Sequence, residues 1–320
     1  MVKTKKLLFI FTGFFIPSLA FAHVGYVIDK SDVVKNSGTD FKFLFQPLTQ
    51  GGYLFLILTS LAIILALYFW LANAKWFKKI ILNIEHQAKT YTDVYGWMLR
   101  LSVGIALIGA GTSGVLISPI MPAGAGTSTL ETLAGFFLLA GFLTGPVAIL
   151  ATVLFLFGLF QNFYLLGNLD FLALLLGIIA ISDSRPGLEH LLKIPFFPSF
   201  KNLKNYAPII VRVGIGIAMA FLAIYEKILN PHMSAFVIEN FHLNNLIAVS
   251  PAMWVLSTGI IELFIGLALI FNLKPRLVSA VAFVVLSASF FFFKEAVYSH
   301  ITLFGALSFI FCTNGGKSNG

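Results

Sequence analysis

A single cysteine, Cys312, stands in 320 residues, so no disulfide can close within the chain and no C-x-x-C redox pair exists. Charge is scarce as well. Asp, Glu, Lys and Arg make up 11% of the residues, under half the share of an ordinary soluble domain. No P-loop, G-x-S-x-G or H-E-x-x-H pattern occurs, which removes the usual sequence signals for nucleotide, serine-hydrolase and zinc-protease chemistry. What fills the chain is apolar: 58% hydrophobic residues, among them 35 Phe. That balance describes an all-α membrane protein crossing the lipid bilayer many times. The net charge of +8 reads as loop charge that orients helices, and no nucleic-acid partner is expected.

The chain opens with Lys3, Lys5 and Lys6, an apolar run over residues 7–19, and the small–x–small triplet Ala20-Phe21-Ala22. That order is a secretory signal peptide over residues 1–22. Removal would make His23 the first residue of an exported segment, 23–52, outside the cytoplasm of a bacterial-type plasma (inner) membrane. A terminal His carries an amine and an imidazole on one residue and can chelate copper or zinc, with His232 as a further metal ligand. The apolar residues Val24, Tyr26, Val27 and Ile28 are expected to dock the segment onto the bundle.

Apolar segments of spanning character follow at 53–74, 97–118, 130–143, 146–160, 164–181, 209–229, 252–271, 277–293 and 296–312, about nine in all. Positive charge tests the count. Lys75, Lys78, Lys79 and Lys89 follow the first span, Arg185, Lys193, Lys201 and Lys204 the fifth, and Lys274 and Arg276 the seventh. With the start outside, all three clusters fall in the cytoplasm, as the positive-inside rule requires.

The chain also repeats. Residues 100–119, "RLSVGIALIGAGTSGVLISP", align with residues 212–231, "RVGIGIAMAFLAIYEKILNP". Later in each half a glutamate opens an apolar stretch with Gly four residues on: "ETLAGF" from Glu131 and "ELFIGL" from Glu262. The pattern describes a lead helix, 53–74, and two tandem four-helix units, 97–181 and 209–312, joined by a cytoplasmic linker, 182–208. Four spans per unit keep the two in parallel orientation. Small residues such as Gly104, Gly111, Gly214 and Gly216 let helices approach closely in lipid.

An Arg opening a small-residue helix, a Lys near that helix's far end, a later Glu-x-x-x-Gly and a four-helix count resemble the DoxX family. The two-unit chain is similar to DoxD-type membrane subunits, over about residues 97–312. The resemblance implies a membrane unit tied to sulfur-compound or quinone redox chemistry, thiosulfate:quinone oxidoreductase included, with a partner redox subunit. Many family members have no known activity, so catalysis by this chain itself is an open question.

Ionisable groups inside spans are expensive and need a partner or a function. The first unit has Arg100, Glu131 and Asp170; the second has Arg212, Glu226, Lys227, His232, Glu262, Glu295 and His300. Glu226 and Lys227 align with Gly114 and Val115, so one unit carries charge where the other carries none. We therefore take Glu226, Lys227, Glu262 and His300 as the candidate catalytic residues, with Glu262 and His300 also touching cofactor. Arg100 and Arg212, at helix starts, are expected to snorkel to the headgroups. A carboxylate and an imidazole can move the protons that accompany quinone reduction, while electrons need a bound quinone, metal or partner. Three functions remain open: quinone-linked redox chemistry, metal handling through His23, or a non-enzymatic scaffold or transporter-like bundle.

Topology gives the first testable outcome. Cysteine-accessibility labelling of intact cells is expected to modify position 240 from outside and to spare position 190; outside labelling at 190 would refute the nine-span arrangement.

Overall fold

The computed structural model describes residues 23–90, 92–245 and 249–316. Residues 1–22, where the sequence pattern leads to the expectation of a signal peptide, lie outside the described residues. The described residues are helical, with no strand among them beyond an isolated bridge between Val115 and Pro122. In chain order the helices are α1 Val24–Val27, α2 Lys30–Lys35, α3 Phe41–Phe45, α4 Gly51–Asn73, α5 Lys75–Thr90, α6 Val94–Thr112, α7 Ala125–Ala140, α8 Thr144–Gln161, α9 Leu169–Ile181 and α10 Leu188–Leu191. Then come α11 Ala207–Leu222, α12 Pro231–Asn240, α13 Pro251–Ile270, α14 Pro275–Phe293 and α15 Val297–Thr313.

Seven stretches among the described residues are long and apolar enough to cross a membrane, from Val94–Thr112 to Val297–Gly316. The chain is an α-helical membrane protein. Of the two other apolar stretches, α4 is 23 residues long and α7 only 16. At 1.5 Å per residue α7 is about 24 Å long, shorter than a hydrocarbon core of about 30 Å.

Local signals mark the helix ends. Pro231, Pro251 and Pro275 open their helices, where a missing N–H costs nothing. Gly141 ends α7 at φ +64°, a left-handed cap that glycine adopts without strain. Glu131 and Glu262 do not open their helices as the sequence pattern suggested. Each lies well inside, in α7 and α13, because the preceding small and hydroxylated residues are helical too.

By its internal contacts the chain forms two compact units. One comprises the described residues up to Lys79 with Ala220–Ile265 and Val284–Lys294; the other comprises Ile80–Met219, Gly266–Phe283 and Glu295–Gly320. In the second, α6 is central and touches α7, α9 and α15, burying Leu99, Val103, Leu107 and Ala110. Two helix crossings there share one design. A Cβ on Gly135 would lie 2.6 Å from Gly104 O and 3.0 Å from Ile108 N, so α6 and α7 touch backbone to backbone. A Cβ on Gly216 would lie 2.8 Å from Gly266 O and 3.1 Å from Ile270 N, so α11 and α13 do the same. Close approach of this kind supplies the packing that lipid, as apolar as the side chains, does not drive.

Arg100 and Arg212 depart from the expected snorkelling. Both are buried, at 0% and 6% exposure, because each finds carbonyl oxygens inside the protein. Arg100 Nη2 donates to Pro186 O at 2.6 Å. Arg212 donates to Gly315 O at 2.9 Å, to Ile270 O at 2.8 Å and to Leu269 O, capping the C-terminal end of α13, where a cation is favoured.

These crossings predict that Gly135→Ala and Gly216→Ala each lower stability by about 1–3 kcal/mol, the usual cost of overpacking. Thermal unfolding in detergent measures this. Gly126→Ala, with nothing within 4 Å of its Cβ position, is the control and is expected to be neutral.

Candidate functional site

In the compact unit that contains Ala220–Ile265, the sharpest chemistry begins where α11 continues into a π-helical turn, Ala223–Leu229. Such turns widen the helix, are rare, and recur at functional sites. This one buries two adjacent charged residues, Glu226 at 0% and Lys227 at 2% exposure. Lys227 Nζ lies 3.0 Å from Glu226 Oε2 and 3.0 Å from Glu262 Oε2 on α13. A Cβ on Gly259 would lie 3.0 Å from Lys227 Cβ, so the glycine one turn before Glu262 clears the lysine's path.

The other oxygen of Glu226 faces the segment that opens the described chain. His23 Nδ1 is 2.8 Å from Glu226 Oε1, and Val24 N donates to the same oxygen at 3.2 Å. His23 is 4% exposed, its ring 4.4 Å from that of Tyr26. Nδ1 is also 3.3 Å from Gly25 N. One nitrogen cannot donate to a carboxylate and accept an N–H at once, and the shorter contact with Glu226 assigns the proton to Nδ1. The result is a buried line of four ionisable groups: His23, Glu226, Lys227, Glu262. Among the described residues, Glu262 Oε1 has no hydrogen-bond partner.

The segment after His23 is tied down nearby. Gly38 N donates to Asn230 Oδ1 at 2.8 Å, and Asn230 Nδ2 donates to Tyr225 O at 2.8 Å. His232 Nε2 sits 3.0 Å from Asp40 Oδ2, with its ring 4.6 Å from Phe43. The Phe43 N–H, and after it His232, hold the Asp40 carboxyl below the usual carboxylate range. His232 and His23 thus have different carboxylate partners, and no group of three or more His, Cys, Asp or Glu side chains placed to hold a metal forms among the described residues. His300 belongs to the other unit, where its Nδ1 is 3.2 Å from Glu295 Oε2 and 3.2 Å from Ser299 Oγ.

Several partners escaped the sequence reading. Asp40 and Asn230 carried no signal beyond their polarity. Trp254 and Thr258, which spacing by four places on the α13 face of Glu262, are buried with it, and Thr258 Oγ1 donates to Trp254 O. In the compact unit that contains Ile80–Met219, a cleft of about 620 Å³ is lined by residues of the 182–199 stretch, among them Asp183, Arg185, Glu189 and Lys193. There burial raises the Asp183 carboxyl, but the Arg185 fork outweighs it and leaves the group below its ordinary value.

The first half of the chain has a counterpart to Glu262. Glu131, fully buried, accepts the backbone N–H of Ile117 at 3.0 Å. Where α11 continues as a π turn bearing Lys227, α6 has already ended at Thr112, and the freed backbone amide replaces the ammonium.

Comparison with known proteins finds a DoxX family model matching residues 207–295, the stretch from α11 to the end of α14 that carries Glu226, Lys227 and Glu262. No curated protein and no solved structure matches the chain.

Removing the lysine leaves two buried carboxyl groups without their shared cation. Lys227→Met is expected to cost about 3–5 kcal/mol, measured by thermal unfolding in detergent. The Lys227→Met/Glu262→Gln pair is expected to recover part of that loss; equal stability of Lys227→Met and the parent would show that the lysine carries no structural charge.

Proposed function

We propose that the chain is a DoxX-type membrane protein of the plasma membrane, with an exported amino terminus, nine spans, and two tandem four-helix units of which the second keeps a working site. Support for the duplication is the shared pattern of a buried Arg bonded to backbone carbonyls, a Gly–Gly helix crossing, and a buried Glu four residues before the second glycine. In the first half these are Arg100, Gly104, Glu131 and Gly135; in the second, Arg212, Gly216, Glu262 and Gly266. The DoxX match over residues 207–295 supports the second unit as the working one.

The function we assign is quinone-linked redox chemistry at the outer face, with electrons delivered by a sulfur compound or a partner redox subunit. The observation that carries it is the buried line from Glu262 through Lys227 and Glu226 to His23, each neighbour within 3.0 Å. A bound quinone supplies the electron acceptor, and its reduction consumes two electrons and two protons. The residues fit that group: Glu262 Oε1 is buried and has no partner among the described residues, so a protonated carboxyl there has a donor to offer a carbonyl oxygen. Lys227 Nζ, beside the same carboxyl, stabilises negative charge developing on an oxygen held there. Glu226 and His23 extend the line to the exported segment and return protons to Glu262.

Protein purified from native membranes is expected to carry extractable quinone. Glu262→Gln is expected to lower its reduction by about 10²–10⁴-fold, the span of a lost general acid, while bound quinone is retained. Absence of quinone from the parent protein, or full reduction by Glu262→Gln, would overturn the assignment.

A further inference from the structure

The clearest surface pattern away from the site lies on α5, Lys75–Thr90. Phe77, Ile80, Ile81 and Ile84 recur at i, i+3, i+4 and i+7, which is one face of a helix. Lys75, Lys78 and Lys79 repeat that spacing along the opposite face, all three exposed, and the first turn holds no acid. Leu82 is the apolar exception among the lysines. The fold does not bury the apolar side: Ile80 is 47% exposed and Trp76, beside it, 52%.

The helix before it fixes where α5 begins. α4 has 23 residues, a length of about 35 Å, enough to cross a hydrocarbon core of about 30 Å. It stops at Ala74, whose extended ψ of 127° breaks the helix. The break therefore falls at the level of the headgroups. Aromatic rings gather at that point: Trp70 and Trp76 stand on either side of it, their ring centroids 6.4 Å apart and both rings exposed. Tryptophan favours that layer, where its ring meets acyl chains and its N–H meets water. A helix that leaves the headgroups with a lysine face cannot go on through hydrocarbon, because each ammonium there is costly. Its isoleucine face is equally unsuited to water.

We propose that α5 lies flat on the membrane, its apolar face in the acyl boundary and its lysines on the headgroups of acidic phospholipids. Sinking such a face about 5–10 Å below the headgroups satisfies a helix of this composition, while the lysine stems reach back to the phosphates. Three ammonium groups within five residues favour an anionic headgroup over a zwitterionic one. α5 is then an in-plane anchor that gathers acidic lipid beside the lead helix.

The inference takes α4 as a span, as proposed above, and takes nothing from quinone chemistry. Its test places single nitroxide-labelled cysteines, Ala62→Cys, Lys78→Cys, Ile81→Cys and Ile84→Cys, in Cys312→Ser protein. The full chain is reconstituted in phosphatidylcholine vesicles containing some phosphatidylglycerol. Dissolved oxygen then reports lipid around a label, and a soluble nickel complex reports water. Oxygen is expected to dominate at 62, 81 and 84, deepest at 62, and nickel at 78. With a fluorophore at 84, brominated phosphatidylglycerol is expected to quench on the order of fivefold more than brominated phosphatidylcholine, the preference one lysine near the surface supplies. High salt is expected to abolish that preference in the unaltered lysine face, as is Lys75→Gln/Lys78→Gln/Lys79→Gln, while the corresponding triple Arg variant keeps it. Water at 81, shielding of 81 from both reagents by a second copy or another protein, lipid at 78 as well as 81, or equal quenching by the two lipids would each overturn the inference. A shallow label at 62 would overturn it together with the α4 span.

Discussion

A bilayer offers no water to a polar group, so every carbonyl, amide and charge in the spans must find its partner within the protein. That constraint explains the least expected contacts here. Arg100 and Arg212 turn inward to backbone carbonyls instead of reaching for headgroups. Glu131, within α7, accepts the N–H of Ile117 from the turn that follows α6. Lys227 is held by two carboxyl groups at once.

Against that background the two halves of the chain solve one problem differently. Both hold a buried glutamate one turn before a glycine at a helix crossing. In the first half a backbone amide meets it, and the contact is local and neutral. In the second, a π turn keeps the helix going and delivers Glu226 and Lys227 into the interior. The extra charges make a buried line of ionisable groups from Glu262 through Lys227 and Glu226 to His23. Val24, 202 residues away in sequence, donates its N–H to Glu226 there.

Much was legible in the chain itself. The apolar runs announce the helices because nothing else of that length and composition is stable in lipid. The alignment of residues 100–119 with 212–231, and the Glu-x-x-x-Gly pair, mark the positions where the two glycine crossings are found. The absence of charge at Gly114 and Val115 directs attention to Glu226 and Lys227. These signals survive in sequence because they are local: each is a residue type at a spacing along one helix.

Other features are not local. That Glu226 turns one oxygen to Lys227 and the other to His23, that His232 pairs with Asp40 and Glu295 with His300, and that Arg212 bonds to the end of α13 all depend on where separate helices meet. The π turn at Ala223–Leu229 is likewise invisible in composition, since its residues are ordinary helix formers. Sequence by itself determined that the chain is built of apolar helices fit for a membrane and which ionisable groups must be accommodated among them, because burial energies belong to residue types. Tertiary structure alone decided which group answers which, because a partner's charge acts only over a few ångströms and chain order does not encode that distance.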